Sequence, residues 1–164
     1  MSSVLITGAN RGVGLGLVKE LLKDQNIRFV FATTRDPANS KELISISDPR
    51  LHILKLDVAK DDTIVEAKKK VETILGDNGL DILINNSGVL LSYPIRGSVD
   101  RPRALSHFDV NAVGPLIITQ VFLPLLEKSK APLAKLVNIS SKGGSIEQSL
   151  GPTPFNLIVY AMSK

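Results

Sequence analysis

The chain has 164 residues, of which 43% are hydrophobic and 22% charged, with a formal net charge of +4. That is enough chain for one domain with a real core, and the mixture is ordinary for a globular protein. Cysteine is absent, which excludes a disulfide framework, a thiolate metal site and a cysteine nucleophile, and suits a reducing, cytoplasmic setting.

In chain order, the N-terminal "MSSVLITG" has no basic stretch followed by a long apolar run, so no secretory signal is expected. Val4-Leu5-Ile6 reads as a first strand, and Leu17, Val18, Leu21 and Leu22 then recur at helical spacing. Phe29 to Ala32 is a second strand. Asp36-Pro37 is expected to open a short helix, with Asp36 as its cap and proline at its first position. Leu51 to Leu56 is a third strand, containing His52. Ile64, Val71, Ile74 and Leu75 mark a helix that starts near Asp61 and stops at Gly76. The only basic run, Lys68 to Lys70, falls on that helix without interleaved aromatics, so a solvated face is expected and no nucleic-acid partner. Leu80 to Ile84 is a fourth strand. Apolar residues from Val110 to Leu126 predict a long helical region, and His107 is expected on a helix. The apolar stretch Pro115 to Leu126 is too short and interrupted to span a bilayer, so no membrane partner is expected. Leu136 to Ile139 is a fifth strand, and Leu157 to Lys164 looks like the first turns of a last helix.

Near-continuous apolar strands separated by helices predict a parallel sheet covered on both faces, an α/β doubly wound fold in a single domain. Ligands of such sheets bind beyond the carboxyl ends of the strands. The residues that follow each strand therefore matter most. After the first comes "TGANRGVGLG", with Gly8, Gly12 and Gly14 between a strand and a helix. Glycine permits a tight turn and close approach of backbone to a pyrophosphate, and the helix N-terminus offers free N–H groups to an anion. This predicts a dinucleotide site. A ribose-binding acid is expected about 20 residues on, but Thr34 and Arg35 stand there. Arg35, assisted by Arg11, could fork onto a 2′-phosphate, which favours NADP(H) over NAD. Asp36 remains a candidate ribose acid displaced from its usual place. Asp57, after the third strand, either accepts from an adenine amino group or caps the next turn. Asn85 and Asn86, in "NNSG", can fasten neighbouring strands. A serine in "NISS" could hold a carbonyl oxygen, and its alternative is a turn former. Neither histidine is placed to serve it as a base.

Tyr160 and Lys164 stand four apart and share a helix face. A tyrosine with an ordinary pKa of about 10 is a poor acid–base group near neutrality, and a neighbouring ammonium stabilises the phenolate. The pair is a sensible general acid–base device. Pro115 has no N–H, so in a helix it leaves the carbonyl of Asn111 without its partner, a place for a water.

The ordered set of motifs, T-G-x-x-x-G-x-G at Thr7, N-N-x-G at Asn85, Asn111 in "DVNAVGP", Ser140-Ser141 and Y-x-x-x-K at Tyr160, resembles the short-chain dehydrogenase/reductase family over essentially the whole chain. "TGANRGVGLGL", "NNSGVLLSY" and "ISSKGGSI" are most similar to its carbonyl reductase branch, the sniffer-like enzymes. Ser87 stands where the family usually has alanine. The segment between Ser141 and Tyr160 is longer than in many members, as it is in that branch.

The resemblance implies a Rossmann domain over residues 1–164. Members continue beyond the lysine, so five strands are visible and the C-terminal strands missing. It implies that Tyr160 protonates a carbonyl oxygen as NADPH delivers hydride, that Ser141 rather than Ser140 positions that oxygen, that Lys164 supports Tyr160 and binds ribose, and that Asn111 holds a relay water. The cofactor would lie on Gly8, Asn10, Arg11, Gly12, Val13, Gly14, Arg35, Asp57, Val58, Asn86, Ser87 and Gly88, with Tyr160 and Lys164 at its nicotinamide end. The partner would be a small-molecule carbonyl substrate, and a homo-oligomer would pack on the helices around Asn111 and Tyr160. Two alternatives stay open: an NAD(P)-dependent alcohol or hydroxysteroid dehydrogenase working oxidatively, and a cofactor- or partner-binding fragment without turnover.

Overall fold

The computed structural model describes residues 2–94, 96–145 and 157–164. The long connection expected between Ser141 and Tyr160 therefore lies mostly outside the described residues. Five parallel strands form one sheet in the order β3-β2-β1-β4-β5: β1 Ser2–Ile6, β2 Ile27–Thr34, β3 Leu51–Lys55, β4 Ile82–Asn85 and β5 Lys135–Asn138. The order reverses between β1 and β4. The helices are α1 Gly12–Leu21, α2 Lys41–Ile44, α3 Asp61–Leu75, α4 Arg101–Phe108, α5 Gly114–Glu127 and α6 Ile158–Ser163. This is the doubly wound Rossmann arrangement that the alternation of strands and helices predicts.

The sheet divides its side chains by the period-two alternation of strands. Val4 and Ile6 of β1, with Val30 and Ala32 of β2, pack on one face against Leu15 and Val18 of α1 and Leu43 of α2. Leu5, Phe31 and Leu83 face the other way, onto Ile64 and Val71 of α3 and Ile118 and Phe122 of α5. All of these are buried. Both faces of the inner strands are thus committed to core, which is why those strands read as unbroken apolar runs. Every residue of β5 is exposed to some extent.

Two features at the other end of the sheet tie its edges. Asp81 is buried, and its carboxylate accepts from Ser3 N–H at 2.8 Å and Ser3 Oγ at 3.2 Å, and from Ser129 Oγ. One carboxylate therefore joins the starts of β1 and β4 to the chain leaving α5. Arg50 bonds Asp48 and reaches the carbonyls of Leu22, Asp24 and Ile27, closing the α1–β2 turn against the entry to β3.

Two expectations need correction. Asp36-Pro37 does not open a helix. The Asp36 carboxylate accepts from the N–H and the side-chain amide of Asn39, closing a single turn. Ser40 Oγ then bonds the Asp36 carbonyl and Thr34 Oγ1, which pulls the chain out of helical path until Lys41. Short polar side chains compete with the backbone in this way. The long helical region also starts earlier than Val110. Helix α4 begins at Arg101, capped by Asp100, whose carboxylate accepts from Arg103 N–H at 3.0 Å. It runs through a π-turn over Asp109–Val113 into α5. The continuous run Arg101–Glu127 is long and apolar enough, by length and composition, to cross a membrane. Here Ile118, Phe122, Leu125 and Leu126 of that run are core residues.

His52, in β3, lies against the Phe31 ring with centroids 5.3 Å apart. Burial pushes its pKa down. A base with a lowered folded pKa favours the neutral ring, so its contribution is complete above the unfolded value of about 6.5 and is lost as pH falls below it. Thermal melts from pH 7.5 to 5.5 are expected to show a smaller loss of Tm for His52→Asn than for the parent chain. Equal losses would remove His52 from the account.

Candidate functional site

A cleft of about 680 Å³ opens beyond the carboxyl ends of the strands, at the reversal between β1 and β4. Its first wall is the turn between β1 and α1. Gly8 and Gly12 take φ of 65° and 57°, which favour glycine. A Cβ on Gly14 would collide with the Gly8 carbonyl oxygen and fall 2.6 Å from Asn86 Nδ2. Arg11 precedes α1 in extended conformation and supplies no side-chain cap. The opening N–H groups of α1 are therefore left for a ligand, and Gly12, Val13 and Gly14, which carry them, line the cleft with Asn10.

The second wall comes from β2 and β3. Arg35 lines the cleft, as does Arg11, and neither guanidinium has a hydrogen bond or ion pair among the described residues. Asp36 is spent on its turn, and the Asn39 hydrogen bonds hold its carboxyl below the usual range. It does not line the cleft. Asp57 and Val58 do. One Asp57 oxygen caps Ala59 N–H at 3.2 Å, so the turn-capping alternative is realised, with its other oxygen left over. Thr63 Oγ1 accepts from Asp57 N–H and fixes where the residue leaves β3.

Asn86 lines the floor, with Asn85 just outside it. Asn86 Nδ2 donates to the carbonyls of Thr7 and Gly8, at 2.9 and 3.1 Å. Asn85 Nδ2 donates to Asn138 Oδ1 at 2.9 Å, across β4 and β5. Each amide fastens a different neighbour, as the motif predicts. Ser87 and Gly88 continue along the floor.

The far end gathers Ser140, Ser141, Tyr160 and Lys164. Ser141 Oγ accepts from Gly143 N–H at 3.1 Å, which starts a short 3-10 turn and leaves the hydroxyl proton free to be donated. Ser140 Oγ instead donates to the Lys164 carbonyl at 3.1 Å. The turn supports Tyr160: a Cβ on Gly143 would lie 3.5 Å from its ring. Lys164 Nζ donates to the Ile139 carbonyl at 2.8 Å, which anchors the ammonium beside the end of β5.

Asn111 stands behind this end rather than in it. Its Oδ1 accepts from Val89 N–H at 2.8 Å, and its Nδ2 donates to the Val89 carbonyl at 3.0 Å and to Ser163 Oγ at 2.9 Å. Both amide hydrogens are thus committed, to Val89 and Ser163. The π-turn around Asn111 is set by Gly114, whose N–H bonds the Asp109 carbonyl, one residue further back than in an α-helix, just before Pro115. Asn111 also lines a second cavity of about 440 Å³ with Pro115, Thr119 and Lys164.

The structure thus brings the expected residues into one cleft, with Asn111 adjoining it. Sequence reasoning missed Leu56, Val89, Leu90, Val110 and Ile139, which also line it. They are apolar, and only the fold distinguishes them from core. It also missed Thr7, whose Oγ1 accepts the N–H groups of Asn86 and Ser87, both at 3.0 Å.

Known proteins are similar to this chain in sequence and fold. The Caenorhabditis elegans chain assigned as the carbonyl reductase Sniffer is 44% identical, with a TM-score of 0.93, and this chain covers 74% of it. The NADPH-bound carbonyl reductase from chicken fatty liver is 36% identical, with a TM-score of 0.92 and 69% of its length covered. Both matches take in 100% of this chain. Among curated relatives, estradiol 17-beta-dehydrogenase 2 of Mus musculus is 38% identical over 146 residues, 88% of this chain and 37% of the relative. The chain spans between roughly a third and two thirds of the curated relatives it matches. The family model for short chain dehydrogenase matches residues 2–164. The chain belongs to the short-chain dehydrogenase family.

Proposed function

We propose that this chain binds NADP(H) and carries the catalytic groups of an oxidoreductase that reduces aldehyde or ketone carbonyls. The observation that carries the proposal is one cleft with two unlike ends. One end holds an uncapped helix N-terminus and two guanidiniums unpaired among the described residues. The other holds a tyrosine, a lysine and a serine hydroxyl. The first end fits a dinucleotide bearing an extra phosphate: the uncapped N–H groups at the start of α1 suit a diphosphate, and Arg11 and Arg35 offer forks to a 2′-phosphate. The NADPH bound to the similar carbonyl reductase from chicken fatty liver supports the same reading.

When bound, the nicotinamide supplies the hydride. The chain's own residues do the rest. Ser141 donates its free proton in a hydrogen bond to the carbonyl oxygen and orients it. Tyr160 protonates that oxygen as negative charge develops there. Lys164, held by the Ile139 carbonyl, keeps further N–H groups for a ribose hydroxyl and supports Tyr160 from four residues along the chain. Asn111 presents its backbone carbonyl to a water that resupplies the proton. The same groups run in reverse would oxidise an alcohol, and the similarity to estradiol 17-beta-dehydrogenase 2 favours that as the second reading. A binding fragment without turnover is the third.

Melting the purified chain with NADPH, and with NADH as control, separates these readings, because a ligand that binds only the folded state raises Tm. NADPH is expected to raise Tm more than NADH, and Arg35→Ala to abolish the difference. An unchanged preference would overturn the assignment of Arg35. Given an aldehyde, the parent chain is expected to consume NADPH, and Tyr160→Phe to lower turnover by roughly two orders of magnitude or more. Binding without consumption would favour the fragment. Pro115→Ala restores an N–H where the relay water is placed and is expected to reduce turnover. Undiminished turnover would remove that water from the mechanism.

A further inference from the structure

Residues 87–94 run from the asparagine pair along one lip of the cleft and pair with no strand. They are held by side chains of the helix beside them. Val89 gives both its N–H and its carbonyl to Asn111. Two residues on, Leu91 N–H donates to His107 Nε2 at 3.1 Å, and the Leu91 carbonyl lies 3.1 Å from the same nitrogen. His107 is completely buried, and its Nδ1 lies 3.0 Å from the Arg103 carbonyl. Leu91 N–H points at Nε2, which can take it only with a lone pair; in that tautomer Nδ1 carries the proton and donates to the Arg103 carbonyl.

The spacing makes this a clamp. In an extended segment, residues two apart present their backbone groups to the same side. His107 and Asn111, four apart, rise from one helix face. The two side chains thus stand in for a neighbouring strand. Leu90, between the two gripped residues, lines the cleft with 56% of its surface exposed. The strap begins at Gly88, where a Cβ would lie 3.3 Å from Asn111 Oδ1 and 3.5 Å from Lys164 Nζ. A slackened strap would move against the lysine end of the cleft and leave the Arg11–Arg35 end alone.

We propose that His107 is a positioning residue: by accepting Leu91 N–H it fixes the Val89–Leu90 wall at the lysine end of the cleft, and through that wall the fit of the reduced nicotinamide. This rests on reading the cleft as an NADP(H) site. The glycine turn and the arginines do not touch His107, so discrimination between NADPH and NADH is independent of it.

The test compares the parent chain with His107→Leu, which cannot accept, and His107→Gln, whose amide oxygen can. Two readouts are taken: hydrogen exchange of the Leu91 amide, and NADPH and NADH affinities by titration. Loss of one such hydrogen bond corresponds to about a five-fold change. His107→Leu is expected to speed Leu91 exchange and weaken NADPH binding by about that factor or more, with the NADPH-to-NADH ratio unchanged, and His107→Gln to restore both. Unchanged exchange or affinity in His107→Leu, or no rescue by His107→Gln, overturns the proposal. Since a leucine in that buried position could disturb folding, Leu91→Pro removes the same N–H from the partly exposed strap. It is expected to reproduce the affinity loss, and the double variant to add nothing further. Additive losses would place the effect of His107 in the core and refute the clamp. If the parent chain binds no NADPH, the cofactor reading fails, and Leu91 exchange still decides whether His107 grips the strap.

Discussion

Where β1 and β4 run out, the ladder between them ends, and the chain has to part there without exposing the core beneath. Thr7, 1% exposed, takes over from the ladder. Its N–H still reaches the Ile84 carbonyl, its hydroxyl accepts from two successive amides of the other strand's exit, and its carbonyl accepts from Asn86. A buried polar group left unpaired costs about 1–3 kcal/mol, and the N–H, carbonyl and hydroxyl oxygen of Thr7 each have a partner. Everything in the cleft is positioned relative to it. Gly14 packs on the Gly8 carbonyl, which also accepts from Asn86, and the strap that borders the lysine end starts from the same two amides.

The second organising element is the helical run from Arg101 to Glu127. One face supplies core to the sheet through Ile118 and Phe122. Its widened turn at Asp109–Val113 accommodates a proline and brings Asn111 to the strap and to α6 at once. A regular helix could not serve both ends: Pro115 removes one rung, and the π register takes up the extra residue where that rung is lost. The exposed flank of the same run, with Leu105, Val113, Leu116 and Leu123, is the part of its apolarity that the sheet does not use.

Much of this is legible in the residues. Five strands, the glycine turn, the asparagine pair and the Tyr160–Lys164 pair each obey a local rule, and each is where that rule predicts. The failures are instructive because one signature has two outcomes. An aspartate followed closely by proline starts a helix at Asp100, where Arg103 answers the cap. At Asp36 it starts only a turn, because Asn39 and Ser40 carry side chains that bond back into it. Local propensity does not decide between those outcomes; the competing side chains do. The role of His107 is similarly out of reach of the sequence. Its position on a helix is readable, but its partner lies on a segment with no pattern of its own, and only the fold puts them together.

The strap shows how a protein can fix a non-repetitive segment with the arithmetic of repetitive ones. A two-residue interval on an extended chain is matched to a four-residue interval on a helix, and neither can change alone. Inserting one residue between Val89 and Leu91 would turn the second pair of backbone groups away from the helix. Inserting one between His107 and Asn111 would rotate the second side chain away from the strap. The two intervals are therefore locked in length to one another.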